Sequence, residues 1–411
     1  MAGTEGDTSN RASGPLSGMR IIDMTSVLMG PFATQMLGDY GADVIKVESP
    51  EGDLMRLGGA MRNPKMGSIY LQANRNKRSI VLDVKTEAGR NALLELCRNA
   101  DALIHNVRTA AMARLRLSYE DVRAVNEEIV YVALVGYGEN GPYAGKPAYD
   151  DLIQGISAIP SLFSQGGRSE PRFVPVNMAD RVVGLNAAHA ILAALLCRER
   201  TGKGQSVEVP MFETMTQFVL GDHFGGLSFD PPTGPAGYNR LLSPDRRPYK
   251  TRDGYLCVLV YTDKQWENFF RAIGQLEEFH RNPLYSDHAT RTRNYDRVYA
   301  DLAAHLEART TEEWTRLLTE NDIPCVPAYD IEQLLDDPHI QSVGLIRDMD
   351  HPSEGRIRMV GPPSRWSLTQ PDIRSHPPRL GENTREILAE IGLSDSEIDG
   401  MLASGAAREA S

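Results

Sequence analysis

From position 18 onward the chain alternates short apolar runs with stretches whose apolar positions recur every three or four residues. The run MRIIDM at 19–24 predicts a strand, PFATQML at 31–37 a helix and DVIKVE at 43–48 a second strand. A third strand at 79–83 leads into a helix at 87–100, where Ala92, Leu93, Leu94, Leu96 and Cys97 form an apolar stripe. A strand at 102–105 and a short helix at 119–126 follow. The near-continuous apolar run at 129–135 suits a strand buried on both faces. Positions 184–200 predict a long helix with basic residues at its end and Gly202 as its stop, and 205–209 another strand. Repeated strand and helix alternation predicts an α/β domain with a parallel, doubly wound sheet.

Between 229 and 248 the pattern gives way to Pro, Gly, Arg and Asp, which marks a linker or a loop facing substrate. A second pattern begins near Tyr249: a strand at 254–260, helices at 264–273 and 295–307, and a capping signature at Thr310 and Glu313. Short elements follow at 324–327 and 331–335. A strand is expected at 355–360 after a turn at 352–355, then two last helices at 384–391 and 394–403.

Composition adds limits. A chain of 411 residues that is 41% hydrophobic and 24% charged can bury a core, and its length suggests one large and one smaller domain. The net charge of -11 argues against a general nucleic-acid surface, so an anionic ligand needs a local basic patch. Cys97, Cys197, Cys257 and Cys325 are far apart, which suggests neither a disulfide framework nor a zinc site and fits reduced thiols in the cytoplasm. No histidine spacing suggests a metal site. Positions 1–15 read as a flexible tail rather than a signal peptide, and the longest apolar stretch, 187–197, is broken by His189 and short for a bilayer. A soluble protein without membrane contact is expected.

Several residues are candidates for chemistry. Asp180, in VNMAD at 176–180, stands just ahead of the long helix, where it would serve as an N-cap or as a carboxylate nucleophile. Asp150 and Asp151 are candidate caps. Arg75, Lys77, Arg78 and Lys85 form a cationic cluster fit for phosphates, although each alone is equally a solvated charge. His105 reads as a strand-end residue and His189 as a buried helix residue. After the first strand the chain reads SVLMGP, without the G-x-G-x-x-G of a dinucleotide-binding oxidoreductase.

Five ordered blocks, GPFATQMLGDYGADVIKVE at 30–48, NKRSIVLD at 76–83, GYGENGP at 136–142, RERTGKGQ at 198–205 and LGENT at 380–384, resemble the class III CoA-transferase family, which includes formyl-CoA and carnitine CoA-transferases and alpha-methylacyl-CoA racemases. The resemblance implies a Rossmann-like large domain built from 16–210 with 365–411, a linker at 211–248, a smaller α+β domain at 249–345 and a return linker at 346–364. It also implies two chains interlocked as a homodimer. The implied reaction moves coenzyme A, as co-substrate and without a metal, from an acyl-CoA such as succinyl-CoA to a carboxylic acid. Asp180 would be the catalytic nucleophile, working through a mixed anhydride and an aspartyl-CoA thioester.

Matched residue by residue, the family pattern puts Val27, Leu82, Lys85, Asn106, Val107, Arg108, Arg114 and Tyr149 at CoA-binding positions. Asp150, Tyr149 and Leu28 fall beside the reacting centre. The chain has Leu28 where formyl-CoA transferase has Gln and Ser49 where it has Arg, and no glycine-rich loop follows Phe229. Formyl or oxalyl substrates are therefore not expected, and the cationic segment 237–247 (GYNRLLSPDRR) suits a larger or dicarboxylic acid. The rival activity is a 2-methylacyl-CoA racemase with Asp180 as acid and base. Related racemases place a His where Tyr149 stands, which weighs toward transfer. A non-catalytic acyl-CoA-binding module is a third reading.

Overall fold

A computed structural model describes residues 14–164 and 170–410. Positions 1–13 of the expected tail lie outside the described residues. The chain divides into two compact units. The first takes in the chain up to Ser157, then Val174–Gln217, then everything from Gln341 onward; the second takes in the described part of Ala158–Phe173 together with Phe218–Ile340.

The first unit begins with β1 (Arg20–Met24), β2 (Asp43–Glu48), β3 (Lys77–Leu82), β4 (Ala102–His105), β5 (Val130–Val135) and β6 (Gln205–Pro210). All neighbouring pairs among these strands are parallel. The fully buried β5 meets the expectation from its continuous apolar run.

The second unit contributes β7 (Tyr249–Lys250), β8 (Tyr255–Val258) and β9 (Cys325–Pro327), a three-stranded antiparallel sheet. Its own core is aromatic, with Trp266, Phe269, Phe270, Tyr285 and Trp314 buried together. The capping box expected at Thr310 and Glu313 is formed.

On returning to the first unit the chain makes β10 (Ile346–His351) and β11 (Gly355–Val360), an antiparallel hairpin, and finally β12 (Ala407–Arg408). β12 pairs antiparallel with β3, giving a seven-stranded sheet in the order β12-β3-β2-β1-β4-β5-β6. The order reverses beside β1, and at such a switch point the carboxyl ends of the strands leave a crevice for ligand.

Three elements differ from the pattern reading. The long helix is Met178–Thr201, starting six residues before the expected position 184. Its first turn, MADRVV, carries two charges and so hides the apolar period. The stretch expected as linker from 211 opens with a helix, Met211–His223, whose Met211, Met215 and Val219 are buried at every fourth position. β10 was not anticipated, because Arg347, Asp348 and Asp350 make IRDMDH look like a loop.

The Met178–Thr201 helix is 24 residues long with a mean hydropathy of 1.4 over its most apolar window, enough by length and composition to cross a membrane, although core helices pass the same test. It packs against the Met29–Asp39 helix, and Gly184 makes the approach possible: a Cβ there would lie 2.8 Å from the Met29 carbonyl oxygen. His189 is exposed, contrary to the expectation of a buried ring.

Charged side chains sit inside the sheet. Lys77 Nζ bonds Asp23 Oδ2 at 3.0 Å, Lys46 Nζ bonds Asp53 Oδ2 at 2.9 Å and Arg56 bonds Glu48 through Nε at 2.7 Å and Nη2 at 2.6 Å, all of them buried. Burial pushes the Asp23 carboxyl up, but Lys77, Lys46 and the hydroxyls of Thr25 and Thr34 outweigh it and bring the group down to about 2. Lys46 also bonds the Thr25 carbonyl at 2.9 Å, and Asp53 Oδ1 accepts the Val27 amide at 3.0 Å. This network therefore fixes the loop that follows β1.

Candidate active site

Val27 stands in that loop with φ +71°, a left-handed backbone that a β-branched residue adopts only under constraint. The constraint is visible. Asp53 holds its amide, and Asn106 holds both backbone polar groups of Ser26, accepting from N at 3.0 Å and donating to O at 2.8 Å. Asn106, expected as a CoA contact, thus commits its side-chain amide to clamping this loop.

The loop forms one wall of a cavity of about 260 Å³ at the carboxyl ends of β1, β4 and β5. Val27, Asn106, Val107, Arg108, Tyr149, Asp150 and Asp180 all line it, so seven of the residues singled out from sequence converge on one space. Glu139 and Lys146 add two more charges to its wall. Tyr149 is exposed. Leu28 is the exception. It is fully buried between Val27 and Met29, which line the cavity while Leu28 does not, so its expected place beside the reacting centre is not met.

Asp180 is the third residue of its helix and not the cap. The N-cap position is Asn177, and Asp180 spends no side-chain bond on capping. The cap comes from elsewhere: Asp150 Oδ1 accepts the Asp180 backbone N–H at 2.9 Å. Asp150 begins the short Asp150–Ile156 helix, and its other oxygen accepts from Gln154 Nε2 at 2.6 Å. Gln154 is itself fully buried and receives the Val174 amide on Oε1 at 2.9 Å.

Among the described residues no donor is bonded to the Asp180 carboxylate, which is 9% exposed. Burial, reinforced by the charge of Asp150 and opposed by Arg181, raises the carboxyl from the ordinary 3.8 to about 7. A helix N-terminus favours the ionised form of a carboxylate beside it. Desolvation and a second carboxylate win instead, because the amide that would have faced Asp180 is already used by Asp150.

A second cleft, of about 370 Å³, adjoins the first and shares Ser26 and Val107 with it. Leu82 and Lys85, from the turn after β3, line it, as does Leu115. Arg114, next to Leu115 at the end of the Thr109–Arg114 helix, is exposed but is not part of either wall.

The cationic cluster expected to meet phosphates is mostly structural. Arg75 is buried against Asp39 at 2.7 Å, Lys77 against Asp23, and Arg78 bonds Asp43, Glu386 and Glu390. Of the four, only Lys85 remains exposed without an ion pair among the described residues, as do Arg108 and Arg114.

His105 ends β4 as expected. Burial lowers it to about 4, its Nδ1 lies 3.0 Å from the Val107 carbonyl oxygen, and it does not line the cavity. Among the described residues no cluster of His, Cys, Asp and Glu suited to a metal ion is found.

Comparison with known proteins shows the family. Residues 16–384 match the profile of CoA-transferase family III. Human succinyl-CoA:glutarate CoA-transferase is 30% identical over 95% of this chain and 89% of its own length. Formyl-CoA:oxalate CoA-transferase of Escherichia coli is 31% identical over 95% of this chain and 98% of its own. The crystal structure of Rv3272 from Mycobacterium tuberculosis superposes with a TM-score of 0.79 at 28% identity, covering 92% of this chain and 99% of that one.

Proposed function

Because the chain belongs to CoA-transferase family III and is an enzyme that transfers CoA, we propose that Asp180 is the nucleophile that exchanges CoA between two carboxylic acids. The observation that supports this most is a buried carboxylate to which no donor among the described residues is bonded, facing a cavity that adjoins a cleft lined by Lys85. A carboxylate stripped of donors and shifted to about 7 is more basic, and so more nucleophilic, than one in water.

The steps balance as follows. An Asp180 oxygen attacks the thioester carbonyl carbon, the C–S bond breaks, and a mixed anhydride and CoA thiolate result. The thiolate then attacks the aspartyl carbonyl, releasing the donor acid and leaving an aspartyl-CoA thioester. The acceptor carboxylate attacks that thioester to form a second anhydride, and the freed thiolate attacks its acyl carbonyl, giving the new acyl-CoA and free Asp180. The near-complete burial of Asp180 limits access of water to each acyl intermediate.

The CoA nucleotide would lie along the second cleft, with Leu82 and Val107 against its apolar parts and Lys85 and Arg114 near its phosphates. Val27, Arg108 and Tyr149 would flank the pantetheine arm. Succinyl-CoA is the first donor to test, with a dicarboxylate as acceptor, supported by the similarity to succinyl-CoA:glutarate CoA-transferase.

The large domain would be 16–210 with 365–411 and the smaller one 249–345, in an interlocked homodimer. Leu185 and Leu196 of the Met178–Thr201 helix are half exposed in the single chain, as an interface between copies requires. A cytoplasmic location fits the four free cysteines.

One observation favours a second reading. A carboxyl near 7 also suits proton exchange at the α-carbon. No imidazole lines the cavity among the described residues to act from the opposite face. The two readings separate when the protein is incubated with acyl-CoA and a labelled acceptor acid, beside an Asp180→Ala variant. New acyl-CoA made only by the wild type, with a hydroxylamine-sensitive adduct on Asp180, supports transfer; α-proton exchange independent of acceptor would replace it with racemisation.

A further inference from the structure

Gln154 lies outside the cavity wall, yet each end of its amide is committed to a part of the site. Nε2 donates to Asp150 Oδ2 at 2.6 Å, and Oε1 accepts the Val174 amide at 2.9 Å. Asp150 in turn receives the Asp180 backbone N–H at 2.9 Å on its other oxygen. One fully buried amide thus links the helix of Asp150 to the segment that runs into the helix of Asp180. A buried amide with both ends satisfied costs little to keep and much to break.

We propose that Gln154 is a positioning residue for the transfer: by fixing the orientation of the Asp150 carboxylate, it keeps that charge beside Asp180 and keeps the amide at the helix entrance away from the Asp180 carboxylate. The proposal rests on Asp180 being the nucleophile. If Asp150 were free to turn, two things would follow. Its charge would move away from Asp180, and the Asp180 N–H, no longer capped, would be open to a new acceptor. Both make the nucleophile a weaker base.

Among the described residues, few charged groups face this pair. Arg181 lies on the helix of Asp180, with its guanidinium over the Phe32 ring, and Asp151 follows Asp150 on its own helix. From the loops and strand ends packed around the cavity come Glu139, Lys146 and Arg108. None of these is altered by a change at position 154.

The test uses the full chain with Gln154→Met, which keeps the shape and loses the side-chain hydrogen bonds to Asp150, Val174 and Val176, and Gln154→Glu, which keeps the acceptor for Val174 and sets a third carboxylate against Asp150. Transfer rates are measured across the pH range around neutrality, with thermal melts alongside and Asp180→Ala as the control. The acidic limb of kcat should move down in Gln154→Met and up in Gln154→Glu, each by about half a unit to one unit. In Gln154→Met, kcat should fall about tenfold or more while KM for acyl-CoA stays within about twofold.

Opposite shifts in the two variants are not a result that general loosening of the fold produces. Limbs that superimpose on the wild type, or move the same way, overturn the proposal. If Gln154→Met does not fold, Gln154→Glu decides alone, an upward shift supporting the proposal and an unmoved limb overturning it. Activity retained by Asp180→Ala would overturn the nucleophile reading and this proposal with it; loss of activity there together with unmoved limbs overturns the role of Gln154 only.

Discussion

Asp150 caps the helix of Asp180 across a separation of thirty residues, its Oδ1 accepting the Asp180 backbone N–H at 2.9 Å. The contact joins two functions that usually compete. The same bond that satisfies a free helix amide sets one carboxylate next to another, and that charge adds to burial, the larger cause, in raising Asp180 to about 7.

Transfer should depend on pH through Asp180. The attacking form is the carboxylate, so kcat/KM for acyl-CoA should fall about tenfold for each pH unit below roughly 7 and level off above it. A pH–rate profile with a poor, slow donor, so that chemistry limits the rate, reads this limb directly. A limb near the ordinary 3.8 would mean that the cavity does not desolvate the group as described.

Stability should show the opposite sign. The folded-state carboxyl is raised, so between pH about 4 and about 7 the native state binds more proton than the unfolded one, and stability contributed by this group is present below that window and lost as pH rises through it. The full loss is on the order of 4 kcal/mol. Asp180→Asn should therefore abolish transfer, by about a thousandfold or more, while making the protein more stable at pH 8 and little changed at pH 4. Urea titrations of both proteins at the two pH values check it.

Two lysines of the same cationic cluster, Lys77 and Lys85, should behave differently. Lys77→Met leaves Asp23 buried without its partner and should cost about 3–5 kcal/mol of stability. Lys85→Ala should leave the melting temperature unchanged and raise KM for acyl-CoA severalfold, more so at low ionic strength. Melting curves and kinetics on both variants distinguish a structural cation from one facing ligand.

That pair also shows how far the sequence could be read. The alternation that built β1 to β5 was plain, because buried parallel strands leave long apolar runs, and the block at 136–142 lies on the cavity wall through Gly136, Tyr137 and Glu139. What could not be read was the partner of each charge. Arg75, Lys77 and Arg78 look like a phosphate site in one dimension, and only the fold brings Asp39, Asp23 and Asp43 against them. Asp180 shows the same limit. Its position suggested a cap, and the true cap, Asp150, is identifiable only once two helices have been placed. Gln154 gave no signal beyond a helical spacing of four from Asp150.

The clamp on the loop after β1 should be sensitive to one oxygen. Asp53→Asn keeps the size but offers an amide in place of one acceptor of the Lys46 and Val27 bonds. Transfer should fall by about ten- to a hundredfold, since a wall of the cavity shifts, and Val27→Gly placed on top should recover part of the loss because glycine holds φ +71° without strain. Rates of the two single variants and the double variant test the coupling.

The pairing of β12 with β3 has a consequence for how the protein is made. Ala407 meets Leu82 in the sheet, a contact between positions 325 residues apart, so the edge of β3 stays open while nearly all of the chain is being synthesised. Until the last strand docks, β3 presents unpaired amides and carbonyls on a fully apolar stretch, Ile80 to Leu82, of the kind that recruits other chains. Yield of soluble enzyme, rather than its specific activity, is thus the property most exposed to changes near Ala407, and growth temperature and expression rate are the levers that would reveal it.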